Sequence, residues 1–142
     1  MSQTFLPYGS QTIDDDDIAA VVETLRSPYL TTGPKVADFE AAIAARVGAK
    51  AGIAVCNGTA ALHAACDALK LGPGDEVIVP AVTFLATANC VRYVGATPVF
   101  ADVCPESGLM TPESLEAVIG PKTKAVIPVH LTGRPVDLEP IR

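Results

Sequence analysis

After residue 50 the chain repeats one pattern: a short, mainly apolar run without period-two alternation, a turn, then a helical stretch. The runs are Gly52 to Cys56, Glu76 to Val79, Thr97 to Val103 and Ala125 to Val129. Helical stretches over Ala60 to Leu69, Phe84 to Val94 and Thr111 to Ile119 lie between them. They are punctuated by Gly72-Pro73-Gly74, Gly95 and Gly120-Pro121, residues that end helices and build turns. A run that is apolar at every position belongs to a strand covered on both faces. Strands alternating with helices pair in parallel. The expected fold is α/β: a mostly parallel sheet flanked by helices.

The first 48 residues differ in character. An extended lead-in precedes Asp14 to Asp17, which suit the start of a helix, with Asp14 as N-cap and the other carboxylates on the positive end of the helix dipole. The alternative for four consecutive aspartates is a metal site. Ile13 and Ile18 have hydrophobic-staple spacing, and Ile18, Val21, Val22 and Leu25 form one stripe. Ser27 to Pro34 is a loop. Pro34 suits the first turn of a second helix, Val36, Phe39, Ile43 and Val47 are its expected buried face, and Gly48 its end. This divides the chain into an arm with helices, 1–48, and a partial large domain, 49–142. The segment from Pro135 opens a new element with no terminator, so a longer protein is expected.

Composition removes several function classes. The net charge is −6 and no Lys/Arg cluster exists, which argues against nucleic-acid binding. Gly, Pro or charge breaks every long apolar stretch, so no membrane span is expected. Met1 to Ser10 lacks signal-peptide character, so a cytoplasmic protein is expected. Cys56, Cys66, Cys90 and Cys104 show no C-x-x-C spacing, so they are expected as reduced, mostly buried thiols and not as metal ligands.

Three places could carry chemistry. In the first, Asn57-Gly58-Thr59 stands between an apolar run and an Ala-rich helix. A helix start has unpaired N–H groups and partial positive charge, Gly58 admits an anion closely, and the Thr59 hydroxyl adds a donor. The alternative is an ordinary strand-to-helix turn. The second is Pro80-Ala81-Val82-Thr83-Phe84, at the expected carboxyl end of a strand, where ligands of open α/β sheets bind. Phe84 could stack on a flat ligand; on pattern alone it reads as a core aromatic. The third, His130, ends the fourth run at the same edge and is a ligand contact or a structural histidine. His63, inside the Ala-rich helix, reads as structural. Cys56 has no basic neighbour to activate it.

A series of segments resembles one family. It comprises Pro7-Tyr8, Tyr29-Leu30-Thr31-Thr32-Gly33-Pro34-Lys35, Asn57-Gly58-Thr59-Ala60-Ala61-Leu62-His63 and Gly72-Pro73-Gly74-Asp75-Glu76. It continues through Thr83-Phe84-Leu85-Ala86-Thr87-Ala88-Asn89, Gly95 to Asp102, Pro121 to Ala125 and Pro128-Val129-His130-Leu131-Thr132-Gly133. In order and spacing the series is similar to the DegT/DnrJ/EryC1/StrS aminotransferases. The resemblance implies the N-terminal part of the large domain of fold type I, pyridoxal 5'-phosphate (PLP) as cofactor, and transamination of a nucleotide-linked keto-sugar with glutamate as amino donor. The Pro-Tyr opening and the Tyr29 to Pro34 loop are most similar to the subgroup serving the pseudaminic acid pathway. That subgroup aminates C4 of a UDP-linked 4-keto-6-deoxy-N-acetylhexosamine.

The resemblance also implies roles. Gly58, Thr59 and Ala60 would hold the phosphate, Phe84 would stack on the ring, and Asn89 and His130 would lie at the cofactor. Tyr8, Thr31, Thr32, Lys35 and Thr83 would lie near the sugar nucleotide. It implies a homodimer. The family's Schiff-base lysine and the acid that pairs with the pyridinium lie downstream of the segment matching 128–133. None of Lys35, Lys50, Lys70, Lys122 and Lys124 sits in that lysine's motif, so these 142 residues alone are expected to be inactive. Two other readings stay open: a non-catalytic PLP or sugar-nucleotide binding module, acting alone or as a partner subunit, and a generic phosphate-binding α/β domain.

Overall fold

In a computed structural model, residues 9–141 are described. The chain forms two compact units, Met1–Ala54 and Val55–Arg142.

The first unit holds α1 (Asp15–Arg26) and α2 (Pro34–Val47). Asp14 caps α1 in a reciprocal box: its side chain accepts from the Asp17 N–H at 3.0 Å, and Asp17 accepts from the Asp14 N–H at 3.2 Å. Two of the aspartates are thereby explained as helix-start chemistry. Pro34 opens α2 and Gly48 closes it in the left-handed conformation. The face expected to be buried is not: Phe39 is 58% exposed and Val47 68%, and only Ala44 of α2 is buried. Apolar spacing shows that a face can be covered; among the described residues of this unit, no element covers it.

The run Gly52 to Cys56 also departs from expectation. It forms no strand, and Ile53 is 84% exposed. The Ala54 N–H donates to Glu40 Oε1 at 2.8 Å, so a side chain takes the bond a ladder would use. Gly52 lies so close to α2 that an added Cβ would stand 2.5 Å from the Glu40 carbonyl oxygen.

The second unit is built on a three-stranded parallel sheet of order β2-β1-β3. Its strands are β1 (Glu76–Pro80), β2 (Thr97–Ala101) and β3 (Thr123–Val126). Its helices are α3 (Gly58–Ala68), α4 (Ala86–Tyr93) and α5 (Pro112–Glu116). β1 is central and fully apolar from Val77 to Val79, as a doubly covered strand must be. Val77 and Val79 pack with Cys66, Leu71, Cys90 and Val91 beneath α3 and α4. Ile78 points the other way, onto Ala101, Met110 and Leu115 of the α5 side.

The strands end earlier than the apolar runs, for local reasons. Asp102 turns its side chain onto the Val103 N–H at 2.8 Å, which stops β2 at Ala101. Between β1 and β3, the Ile127 N–H donates to the Ile78 carbonyl at 2.8 Å. The next rung would need an N–H from residue 80, and proline has none. Pairing with β3 therefore stops, while on the β2 side the Ala81 N–H still reaches the Ala101 carbonyl at 2.9 Å. The sheet forks at its carboxyl edge. Pro98 sits in β2, an edge strand, where a missing donor is tolerated.

The cysteines divide. Cys66 and Cys90 are buried, whereas Cys56 is exposed and Cys104 half-buried in a loop, its thiol donating to Glu106 at 2.9 Å. Burial, and then the neighbouring Cys66 thiol, push Cys90 from an ordinary 9.0 up to about 11. A thiol that resists ionisation in the fold contributes stability that is fully present below pH 9. That stability is lost as pH rises from 9 towards 11, because the unfolded chain ionises first. The slope of stability against pH in that window should therefore be negative. Denaturant titrations of wild type and Cys90→Ala should show it flattened in the variant.

Candidate functional site

The Asn57 side chain accepts from the Ala60 N–H at 2.9 Å and so starts α3. This corrects one expectation: the Ala60 N–H is already taken and is not a free phosphate donor. The N–H groups of Gly58 and Thr59 have no acceptor among the described residues. They stand at the positive end of an 11-residue helix. Gly58 needs no glycine for its own sake. Its φ is not positive, and an added Cβ would meet nothing within 4 Å. The open space in front of it suits close approach by a ligand.

Phe84 is 76% exposed, which excludes the core-aromatic reading of its pattern. It lines a cavity of about 450 Å³ together with Gly58, Thr59, Ala61, Leu62, Ala86 and Thr87. The helix start and the aromatic ring therefore face one space, of a size that holds a small cofactor. The loop bearing Phe84 follows β1 directly and lies at the carboxyl edge of the sheet.

The other expected residues are placed as follows. Asn89 is half-buried on α4 and Thr83 half-buried before it; neither they nor Ala60 and His130 line the cavity. His130 is exposed, and its Nδ1 accepts from the Val136 N–H at 2.9 Å. The ring is thereby held by the loop that follows it, with Nε2 left as the outward nitrogen. His63 stands tilted on Tyr93 with ring centroids 5.3 Å apart. Thr31, Thr32 and Lys35 belong to the first unit. Lys35 pairs with Glu23 at 3.6 Å and borders a groove with Leu25 and Leu30; Thr31 and Thr32 are exposed. Tyr8 lies outside the described residues. None of the five lysines lines the Gly58–Phe84 cavity.

Sequence reasoning missed Thr87. It is the only buried polar residue among those described, 5% exposed, and its hydroxyl lies 2.9 Å from that of Thr83. The signal was the i, i+4 spacing of two threonines across the helix start.

Fold and cavity together define an α/β protein in which a helix start and an exposed aromatic ring line one space at the carboxyl edge of a parallel sheet. The chain belongs to the DegT/DnrJ/EryC1/StrS aminotransferase family, whose model matches residues 11–142. Spr1654 from Streptococcus pneumoniae, titled a sugar aminotransferase, is 38% identical in its PLP form. It superposes with a TM-score of 0.88, over 96% of this chain and 35% of that one. An aminotransferase from Psychrobacter cryohalolentis is 43% identical, with a TM-score of 0.85 over 97% of this chain and 35% of that one. A 3-amino-5-hydroxybenzoic acid synthase is 36% identical, with a TM-score of 0.84 over 92% of this chain and 34% of that one. The chain thus spans about a third of the length of these structures. The family's cofactor is PLP, and the Streptococcus protein is known in PLP and PMP forms.

Proposed function

We propose that the protein carrying these residues is a PLP-dependent aminotransferase that transfers an amino group from glutamate to a nucleotide-linked keto-sugar. The observation that carries this reading is the shared cavity of Gly58, Thr59 and Phe84. The donor set fits the cofactor: two unpaired N–H groups and a hydroxyl for a dianion, and an exposed ring for a flat heterocycle. Bound PLP supplies an electron sink for proton loss at the carbon that carries the amino group. Gly58 and Thr59 would hold its phosphate, and Phe84 would cover one face of its ring and keep water from it. His130 offers Nε2 at the sheet edge. In this proposal the lysine and the carboxylate that complete the chemistry are not among these residues.

The sugar end of the proposal rests on sequence. The Tyr29 to Pro34 loop and the Pro7-Tyr8 pair favour C4 of a UDP-linked 4-keto-6-deoxy-N-acetylhexosamine, with Tyr8, Thr31, Thr32, Lys35 and Thr83 at the substrate. One of the similar structures is a synthase named for an aromatic amino acid, so the keto substrate must be tested directly. Incubation with glutamate and the UDP-4-keto-sugar should yield 2-oxoglutarate and an amino sugar. Failure with every nucleotide-linked keto-sugar tried would sink the substrate reading.

Phe84→Ala tests the cofactor reading. The side chain is mostly exposed, so stability should change by less than about 0.5 kcal/mol. PLP affinity should fall about tenfold or more, as one aromatic face is lost. Equilibrium dialysis against PLP reads this, and unchanged affinity would remove Phe84 from the site.

A further inference from the structure

We infer that the Thr83–Thr87 hydroxyl bridge is a positioning device that fixes the Phe84 wall of the cavity; this rests on the cofactor reading above. An exposed phenylalanine on a loop has no packing to hold it, and Phe84 is 76% exposed. Its backbone is held instead. The Thr87 N–H donates to the Phe84 carbonyl at 3.0 Å, and the two threonine hydroxyls meet at 2.9 Å across the same turn. Together these bonds close a ring of backbone and side chains around residue 84. Thr87 N–H and hydroxyl both serve that ring, and the residue is only 5% exposed.

Stability alone does not call for a hydroxyl here. Valine has nearly the same shape, and replacing both threonines by valine would remove the polar pair together, which is close to neutral for stability. The α4 start has no capping side chain on Leu85, so the bridge is the side-chain contact that ties the loop to the helix. Thr87 also lines the cavity. Two hydroxyls share one hydrogen bond, which leaves one proton unassigned. Where Thr83 donates, the Thr87 proton is available to a bound ligand. The pair therefore sets both the position of the ring and the polarity of the wall beside it.

The test uses the protein expressed from its complete reading frame, with PLP as probe. Thr87→Val should weaken PLP binding about tenfold, the scale of one hydrogen bond, and reduce the circular dichroism of bound PLP. The melting temperature without PLP should fall by no more than a few degrees, because the half-buried Thr83 hydroxyl can turn to water. Thr87→Ser should restore affinity to within about threefold of wild type. Thr83→Val breaks the bridge from its half-buried end and should give the same loss. The double variant should lose no more than either single variant, because one bond is removed in each case. Unchanged affinity in both single variants overturns the inference. So does a loss of affinity matched by a loss of PLP-free stability, since that marks a structural residue. If Thr87→Val fails to fold, Thr83→Val decides by the same criteria. Should Phe84→Ala weaken PLP while both valine variants do not, the positioning role fails and the cofactor reading stands. Should no variant matter, including Phe84→Ala, the cofactor reading fails first.

Discussion

Gly58→Leu is expected to abolish cofactor binding while leaving the fold as stable as before. Position 58 is the first residue of α3, its φ is not in the left-handed region, and no atom lies within 4 Å of an added Cβ. Replacing glycine in a helix removes backbone freedom from the unfolded chain, so stability should hold or rise slightly. The leucine side chain would occupy the space in which a phosphate must sit. Two charge-assisted hydrogen bonds, from the Gly58 and Thr59 N–H groups, are then lost. Each is worth about 1.5–3 kcal/mol, so affinity should fall more than about a hundredfold. Thermal melting and PLP dialysis on one preparation check both halves. Affinity within about twofold of wild type would place the phosphate elsewhere.

Ile78→Ala should have the opposite character, a large loss of stability that reaches the site only through the fold. Ile78 is 0% exposed at the centre of β1 and packs on Ala101, Met110 and Leu115. Truncating such a side chain leaves a cavity and costs about 2–5 kcal/mol, against a total margin of about 5–15 kcal/mol. The denaturation midpoint should drop accordingly. Ile53→Ala serves as the control. Ile53 is 84% exposed and its truncation should cost less than about 0.5 kcal/mol. Equal effects at the two positions would mean that the run from Gly52 to Cys56 is buried after all.

That control marks where the sequence was legible and where it was not. Local signals were read well. Asp14 caps α1, Pro34 and Gly48 bound α2, and Asn57-Gly58-Thr59 starts a helix, because each depends on neighbours within four residues. Burial was read less well, because it depends on partners. The apolar spacing of Val36, Phe39, Ile43 and Val47 and the apolar run at Gly52 to Cys56 both show surface suited to cover, not what covers it. At the site, Gly58, Thr59 and Phe84 could be singled out from helix-start and sheet-edge logic. Thr87 was passed over, since a threonine in a short apolar helix looks like filler unless its four-residue spacing from Thr83 is read as a hydroxyl pair. The prior claim of Asn57 on the Ala60 N–H was likewise invisible, although an Asn at the N-cap position is its signature.

Pro80 has a wider meaning for the carboxyl edge of the sheet. A cleft held open by side chains can collapse when no ligand fills it, and must be reopened at each binding event. Here the separation of two strands follows from a covalent fact, a nitrogen that carries no hydrogen in a fully buried position. The end of the pairing is written into the main chain, so this feature of the sheet rim does not depend on how the neighbouring side chains pack.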